Sequence, residues 1–103
     1  MDDSQAAVEI PDISVVVVTF DVLEKLQLCI RSLLAALSGM RSEVTVVDNG
    51  YGDGSWAWLL GLDQVRVIRG SPAKGFGAAV NQGLASSQGR YFLVLNPDTL
   101  LPP

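Results

Sequence analysis

The sequence predicts an α/β fold, a three-layer α/β/α arrangement around an open parallel sheet of four strands. Strand-like and helix-like segments alternate along the chain, and the connections between them are short. The first two strand-like segments are nearly continuous runs of β-branched residues, which is typical of strands buried on both faces of a parallel sheet. Right-handed crossovers then place the intervening helices on the two faces of that sheet.

The carboxyl ends of the four predicted strands carry polar residues. They cover residues 13–20 (ISVVVVTF), 43–48 (EVTVVD), 65–69 (VRVIR) and 91–95 (YFLVL). Ligands of open parallel sheets bind beyond the carboxyl ends of the strands. Three of the four strand ends carry an aspartate, and these are Asp21, Asp48 and Asp98. We therefore expect the chemistry of the chain to lie at this edge.

The first helix is predicted to begin at Asp21. This residue and Glu24, three positions later, resemble a capping box, and leucines follow at helical spacing. The helix is expected to run to about Ser38 and to be closed by Gly39. Cys29, the only cysteine, lies within it, and we expect a small buried apolar side chain rather than a nucleophile.

Two further helices are predicted after glycine-rich loops. Residues 49–54 (NGYGDG) form the first loop, after which Ser55 caps a short helix over residues 56–60. Residues 70–77 (GSPAKGFG) form the second loop, and the third helix covers residues 78–87. Strands and helices thus alternate along the whole predicted domain, and the sequence contains no internal repeat and no low-complexity linker.

Composition and charge exclude several classes of function. The 103 residues suffice for one domain with a substantial core. The formal net charge is −4 and the seven Lys and Arg residues are scattered, so no nucleic-acid surface is expected. The chain has no histidine, so catalysis must rest on carboxylates, amides, hydroxyls or a hard metal ion.

The N-terminal residues 1–12 have the composition of a flexible segment. They are acidic and lack an apolar stretch, so they do not resemble a signal peptide. No run of apolar residues along the chain is long enough to cross a bilayer. With a single cysteine there is no disulfide framework. We expect a cytoplasmic protein.

Two other classes of open-sheet protein match the residues less well. A dinucleotide-binding domain needs glycines directly after the first strand, where this chain has Thr19, Phe20 and an acid that would repel phosphate. A receiver domain needs paired acids after the first strand and a phosphate-accepting aspartate after the third. This chain has one acid after the first strand and none after the third.

Four segments taken together resemble one known family. They are VVVVTFD, EVTVVDNGYGDGS, KGFGAAVNQGL and GRYFLVLNPDTLLPP, in this order and at spacings that fit one domain. They resemble the family 2 glycosyltransferases, particularly the rhamnosyltransferase-like branch. The resemblance implies a Rossmann-like GT-A fold with strand order 3-2-1-4. It also implies that residues 13–103 are the nucleotide-sugar-binding donor subdomain, truncated before the acceptor half.

The resemblance assigns roles to the first two strand ends. Thr19, Phe20 and Asp21 match the residues that line the nucleotide base and ribose, although Asp21 also fits a plain helix cap. Asp48 and Asn49 match the pair after the second strand, one of which typically hydrogen-bonds the pyrimidine ring. The edge of that ring offers both a donor and an acceptor, which an Asp–Asn pair can match. An Asx-turn that opens the glycine loop remains the alternative role for this pair.

A third matching element follows the third strand. Gly75, Phe76, Gly77 and Asn81 match a glycine-rich element of the family whose backbone and asparagine approach the nucleotide-sugar. The chain departs from the pattern at Ala73, where the family has an asparagine, and Lys74 at the next position could meet a phosphate instead. Phe76 fits a core position equally well.

The resemblance assigns a metal ligand at the end of the fourth strand. Asn96, Pro97 and Asp98 take the place of an Asp-x-Asp motif, of which only the last acid is present. Asp98 is therefore the predicted ligand of Mg²⁺ or Mn²⁺. With one carboxylate from the protein, most ligands would come from the nucleotide diphosphate.

The expected function is that of an inverting glycosyltransferase that uses a UDP- or dTDP-sugar. The acceptor, a saccharide or a lipid-linked molecule, and the catalytic base are expected beyond Pro103, so the chain alone should be inactive. The longer enzyme is expected at the inner face of the membrane. Strand four is expected to remain as an apolar edge that pairs with a second copy in a homodimer. The alternative function is a non-catalytic nucleotide-binding or dimerisation module of Rossmann- or receiver-like fold.

Overall fold

The structure, a computed structural model, describes residues 10–20, 23–50, 54–71 and 74–95. Strands and helices alternate through these ranges, and each predicted element is present in the predicted order. The strands are β1 Ile13–Thr19, β2 Ser42–Asp48, β3 Val65–Arg69 and β4 Tyr91–Leu95; the helices are α1 Leu23–Ala36, α2 Ser55–Leu60 and α3 Gly75–Ala85. No helix among these elements is long and apolar enough to cross a membrane.

The four strands form one parallel sheet with the order β3-β2-β1-β4. This confirms the predicted α/β class and the strand order 3-2-1-4. The central strands β1 and β2 are buried along most of their length, because helices cover them on both faces. β4 lies at one edge of the sheet, and its first four residues are exposed.

The larger of two core clusters lies between α1, α2 and one face of the sheet. Its fully or nearly fully buried members are Val15, Val17, Leu26, Ile30, Leu33, Leu37, Val44, Val46, Leu59 and Leu95. The alternation along β1 directs Val15 and Val17 to this face, since side chains of a strand point to opposite faces in turn. Cys29 is buried in α1, which confirms the burial predicted for it.

The smaller core cluster lies on the opposite face, beneath α3. It contains Val16, Val18, Val47 and Ala79. Gly83 allows the close approach of the helix, because a Cβ on this glycine would stand 2.5 Å from Val16 Cγ1. The position of α3 on the sheet therefore depends on this contact.

The start of α2 differs from the prediction. Ser55 is the first helical residue and is buried. The residue before the helix is Gly54, which has no side chain that could cap the helix. Gly54 has φ +88°, a left-handed conformation that glycine adopts without strain. The N-cap position is thus occupied by the left-handed backbone of Gly54, one residue before the predicted cap.

The start of α3 also differs, since the helix begins at Gly75, three residues before the predicted start. The sequence suggested a loop because glycines weaken helices by about 1 kcal/mol each. In the structure Gly75 has φ +84° and serves as the entry turn. The contacts of Ala79 and Gly83 with the sheet then hold the helix in place despite its glycines.

At the amino edge of the sheet, the side chain of Glu43 links neighbouring strands. The Ser14 hydroxyl and the Gln88 backbone N–H each donate a hydrogen bond of 2.5 Å to its carboxylate, and Arg66 pairs with it at 3.4 Å. Burial acts to raise the pKa of Glu43, but these hydrogen bonds and Arg66 outweigh it and hold the pKa below its ordinary value of 4.5. This carboxylate therefore connects β1, β2, β3 and the segment before β4.

Candidate functional site

The carboxyl ends of β1, β2 and β3 stand side by side. Thr19 is in register with Asp48, and Asp48 is in register with Arg69. The backbone ladder continues one step further, since Asn49 N–H donates to the Thr19 carbonyl and Gly70 N–H to the Asp48 carbonyl, both at 2.9 Å. The structure therefore brings together the residues that the sequence identified at the first two strand ends.

Asp48 is buried at this edge, with 1% of its surface exposed. Its Oδ1 accepts a 2.9 Å hydrogen bond from the backbone N–H of Gly50. This is the Asx-turn that the sequence left open as the alternative role of the pair. The turn fixes the orientation of the carboxylate, which is compatible with a second role of Asp48 in binding a ligand.

Two buried polar atoms next to Asp48 have no hydrogen-bond partner among the residues that the structure describes. They are Thr19 Oγ1 and Asn49 Oδ1, and both side chains are at least nine-tenths buried. Buried polar atoms are nearly always hydrogen-bonded, so each such atom needs an explanation. A third such atom, Thr45 Oγ1, lies inside β2 away from this edge. It is therefore the position of the first two at the carboxyl edge, where ligands of open sheets bind, that points to a ligand-binding role.

Gly70 leaves the space that the side chain of Asn49 occupies. A Cβ on Gly70 would lie 1.7 Å from Asn49 Oδ1 and 2.9 Å from its Cγ. Only a glycine leaves room for the amide at this point, because any other residue would require the asparagine to move. No local sequence pattern indicates this role of Gly70.

A cavity of about 360 Å³ lies beside the N-terminal half of α3. Its lining residues are Ser71, Lys74, Ala78, Ala79, Asn81 and Gln82. Lys74 and Asn81, two residues identified from the sequence, therefore line the same cavity. Gln82 Nε2 donates to the Arg69 carbonyl at 3.3 Å and so connects this wall to the end of β3.

Phe20 and Phe76 are exposed rather than packed in the core. Their exposed fractions are 59% and 58%, so the core role that Phe76 could have had is wrong. Phe20 follows the end of β1 and Phe76 lies in the first turn of α3, and exposed aromatic rings are available for stacking on a ligand. Gly75 is also exposed, next to Lys74 at the start of α3.

Two predicted site residues, Asp21 and Asp98, lie outside the described residues, as does Ala73. Within the described ranges, no group of three or more His, Cys, Asp or Glu side chains could hold a metal ion. The described residues therefore do not by themselves form a metal site with three or more such side chains. The metal hypothesis rests on Asp98 alone.

Arg69 and Trp56 were missed by the sequence reasoning. The guanidinium Cζ of Arg69 lies 4.3 Å from the centroid of the Trp56 ring, and its Nη1 donates to the Gly50 carbonyl at 3.4 Å. The one available signal was that Arg69 ends a strand. Its partner in α2 is thirteen positions away and could be found only in the folded chain.

Comparisons with known proteins assign this architecture to a family. The family model described as Glycosyl transferase family 2 matches residues 14–103. Dolichol-phosphate mannosyltransferase of Pyrococcus furiosus is 32% identical over 94 residues, which are 88% of this chain and 27% of that protein. Succinoglycan biosynthesis protein ExoO of Rhizobium meliloti is 31% identical over 97 residues, 92% of this chain and 28% of that protein. The chain thus spans less than a third of the relatives it matches.

Solved structures share the fold at lower identity. S. aureus TarS 1–349 has a TM-score of 0.73 at 22% identity, over 84% of this chain and 27% of that one. The mannosyltransferase PcManGT from Pyrobaculum calidifontis, solved with GDP-Man and Mn²⁺, has a TM-score of 0.74 at 21% identity, over 93% of this chain and 30% of that one. These likenesses confirm the GT-A fold. The rhamnosyltransferase-like branch stays a prediction.

Proposed function

The chain belongs to glycosyl transferase family 2, and on that premise we propose that it forms the donor-binding part, residues 13–103, of an inverting glycosyltransferase that uses a UDP- or dTDP-sugar. The observation that carries the proposal is the pair of buried, unpartnered polar atoms, Thr19 Oγ1 and Asn49 Oδ1, on either side of Asp48 at the carboxyl edge. Because both atoms have less than 1 Å² of accessible surface, a nucleoside at this edge would supply the missing hydrogen bonds after the edge opens to admit it.

The proposed base-binding group consists of Asp48 and Asn49. A pyrimidine ring of the uracil or thymine type offers an N–H donor between two carbonyl acceptors, and a carboxylate beside an amide matches both kinds of atom. Thr19 is proposed to contact the base or ribose through its hydroxyl, and the exposed Phe20 ring to border the same site. Asp21 is proposed as a further ribose ligand on the basis of the family resemblance.

The proposed diphosphate-binding group lies at the start of α3. Lys74 carries a positive charge at the N-terminal end of this eleven-residue helix, where backbone N–H groups also favour an anion. Asn81 lines the same cavity and is proposed to contact the sugar or the phosphates. Gly75 allows the backbone to turn there, because its φ of +84° is readily available only to glycine.

A divalent cation, Mg²⁺ or Mn²⁺, is proposed to bind at Asp98 together with the diphosphate. Hard cations prefer oxygen ligands, and a single carboxylate would leave most coordination positions to the phosphates. When bound, the cation would offset charge on the departing diphosphate. The support for this site is the family resemblance and the metal present with the Pyrobaculum calidifontis mannosyltransferase.

The remaining parts of the activity are proposed for a longer protein. The sugar would pass to a saccharide or lipid-linked acceptor with inversion, and none of the described residues is proposed as the catalytic base. We propose a cytoplasmic location at the inner face of the membrane for such an enzyme. The exposed, apolar β4 is proposed to pair with β4 of a second copy.

A thermal-shift and calorimetry panel tests the donor proposal. The chain is titrated with UDP, dTDP, GDP and ADP, each with Mn²⁺ and with EDTA. Because a ligand stabilises the folded state by RT ln(1 + [L]/Kd), ligand at ~100 times Kd should add about 2.7 kcal/mol to the free energy of unfolding. Stabilisation by UDP or dTDP above GDP and ADP supports the proposal, and stabilisation by none of the four contradicts it.

The Asp48→Ala variant links binding to the proposed site. We expect a loss of about 1–3 kcal/mol in nucleotide affinity, the usual cost of leaving a buried polar partner unpaired. Arg31→Ala is the control, since Arg31 is exposed on α1. Unchanged affinity in a folded Asp48→Ala protein would restrict Asp48 to its role in the turn.

A further inference from the structure

The Arg69 side chain is held in place by two elements outside its own strand. Its guanidinium group lies over the ring of Trp56 in α2, with 4.3 Å between Cζ and the ring centroid. Nη1 of the same group donates to the Gly50 carbonyl at 3.4 Å. A cation over an indole face is held by the ring quadrupole, so Trp56 restricts the directions in which the guanidinium can point.

The Gly50 residue connects Arg69 to Asp48. Its N–H donates to Asp48 Oδ1 at 2.9 Å, and its carbonyl accepts from Arg69. The backbone N–H of the buried Gly50 is thus hydrogen-bonded to Asp48, and its carbonyl is hydrogen-bonded to Arg69. Because a glycine has wide conformational freedom, contacts at both groups restrict its orientation. The Gly50 N–H is thus one of the contacts that orient the Asp48 carboxylate.

We propose that Arg69, held by its stack on Trp56, is a positioning residue that fixes the Gly50 turn and thereby sets the Asp48 carboxylate for nucleotide binding. The proposal rests on the proposed function for its effect on the ligand, but the positioning step itself needs no ligand. Arg69 and Asp48 are in register on neighbouring strands, so the linkage is short. It assigns a positioning role to Arg69 and Trp56, two side chains outside the four segments that resemble the family.

The competing role for Arg69 is a direct contact with the diphosphate. Arginine often pairs with phosphate, and Arg69 ends its strand at the ligand-binding edge. In the structure one face of its guanidinium lies on Trp56 and one N–H is directed to Gly50. These contacts favour the positioning role, and the experiments below distinguish the two.

The ligand-free test measures amide hydrogen exchange at Gly50 by NMR. The variant Arg69→Met keeps an apolar stem over Trp56 but cannot donate to the Gly50 carbonyl. We expect exchange of the Gly50 N–H to rise about tenfold beyond any loss of global stability, because its turn opens more often. Arg69→Lys, which keeps a cation and a donor, should restore most of the protection. Unchanged protection in Arg69→Met would overturn the proposal.

The matched control removes a different arginine from the same strand. Arg66 lies on β3, and its side chain pairs with Glu43 at the opposite edge of the sheet. Arg66→Met should leave Gly50 exchange unchanged after correction for global stability. An equal rise in both variants would show a general weakening of β3 and would also overturn the proposal.

The ligand test is a double-mutant cycle with UDP and Mn²⁺. If Arg69 acts through Asp48, Arg69→Met should weaken binding about tenfold in the native chain and by less than about twofold in Asp48→Ala. Additive losses would show that Arg69 contacts the nucleotide directly, which contradicts positioning. If no nucleotide binds the native chain, the proposed function fails, while the exchange measurement at Gly50 still decides the positioning step.

Discussion

Gly70 lies so close to Asn49 that a Cβ on the glycine would be 1.7 Å from Asn49 Oδ1. The two residues follow the ends of neighbouring strands β3 and β2, so the contact joins the loops that leave these strands. Gly70, which has no side chain, therefore leaves the space that the buried Asn49 amide occupies. The packing of Gly70 gives a way to move Asn49 without changing it.

The first prediction is that Gly70→Ala weakens nucleotide binding. The new methyl group must displace the Asn49 amide, and a displaced polar partner in a buried site costs about 1–3 kcal/mol of affinity. Calorimetry with UDP and Mn²⁺ measures the effect. Gly61→Ala is the control, because a Cβ there meets only the Trp58 carbonyl oxygen, at 3.4 Å. Equal affinities for the two variants would refute the role of Gly70.

The second prediction concerns stability and the docking of α3. Gly83→Ala should lower the free energy of unfolding by about 1–3 kcal/mol, because its Cβ would overlap Val16 Cγ1 at 2.5 Å in a packed core. Gly77→Ala in the same helix meets nothing within 4 Å and should raise stability by about 0.5–1 kcal/mol through helix propensity. Urea unfolding of both variants checks this, and a stable Gly83→Ala protein would count against the close contact.

The third prediction is a pH effect at Glu43. The pKa of this carboxyl is lower in the folded chain than its ordinary value of 4.5. A lowered folded pKa means that the stabilisation is complete above the unfolded pKa and is lost as pH falls through the folded pKa. We therefore expect stability to fall below about pH 4.5, and less steeply in Glu43→Gln, which cannot be protonated. Urea midpoints from pH 7 to pH 3 measure this, and parallel curves for both proteins would exclude Glu43 as the cause.

The fourth prediction concerns the metal. Asp98→Asn should remove most of the difference in UDP affinity between Mn²⁺ and EDTA, because Asp98 is the only carboxylate in the motif position. Affinity in EDTA should stay unchanged, which separates a metal effect from misfolding. Calorimetry measures both quantities. If the native chain binds UDP equally well with and without metal, the proposed cation has no role in binding.

The fifth prediction is self-association through β4. Tyr91, Phe92, Leu93 and Val94 are exposed, with Tyr91 at 72%, on the edge strand of the sheet. An apolar edge with unpaired backbone groups favours pairing with another strand. Light scattering should therefore give a mass near twice 11.0 kDa at high concentration, and Phe92→Lys should return it to the monomer. A mass of 11.0 kDa for the native chain would contradict the prediction.

Sequence by itself determined the elements and the edge where the site lies. The β-branched runs of β1 and β2 are recognisable because strands buried on both faces leave no polar alternation. The position of Asp48 at a strand end also follows from the sequence, since the carboxyl ends of parallel strands meet at one edge. The strand order came from the family resemblance and not from any local pattern.

Tertiary structure alone decided the contacts that shape the site. The approach of Gly70 to Asn49 and the stack of Arg69 on Trp56 each bring together residues that are distant in sequence. The exposure of the phenylalanine rings depends on which parts of the folded chain cover them. The early start of α3 has the same origin, because packing on the sheet outweighs the low helix propensity of glycine. Local sequence reports propensity and periodicity, whereas these features depend on which surfaces meet after the sheet has formed.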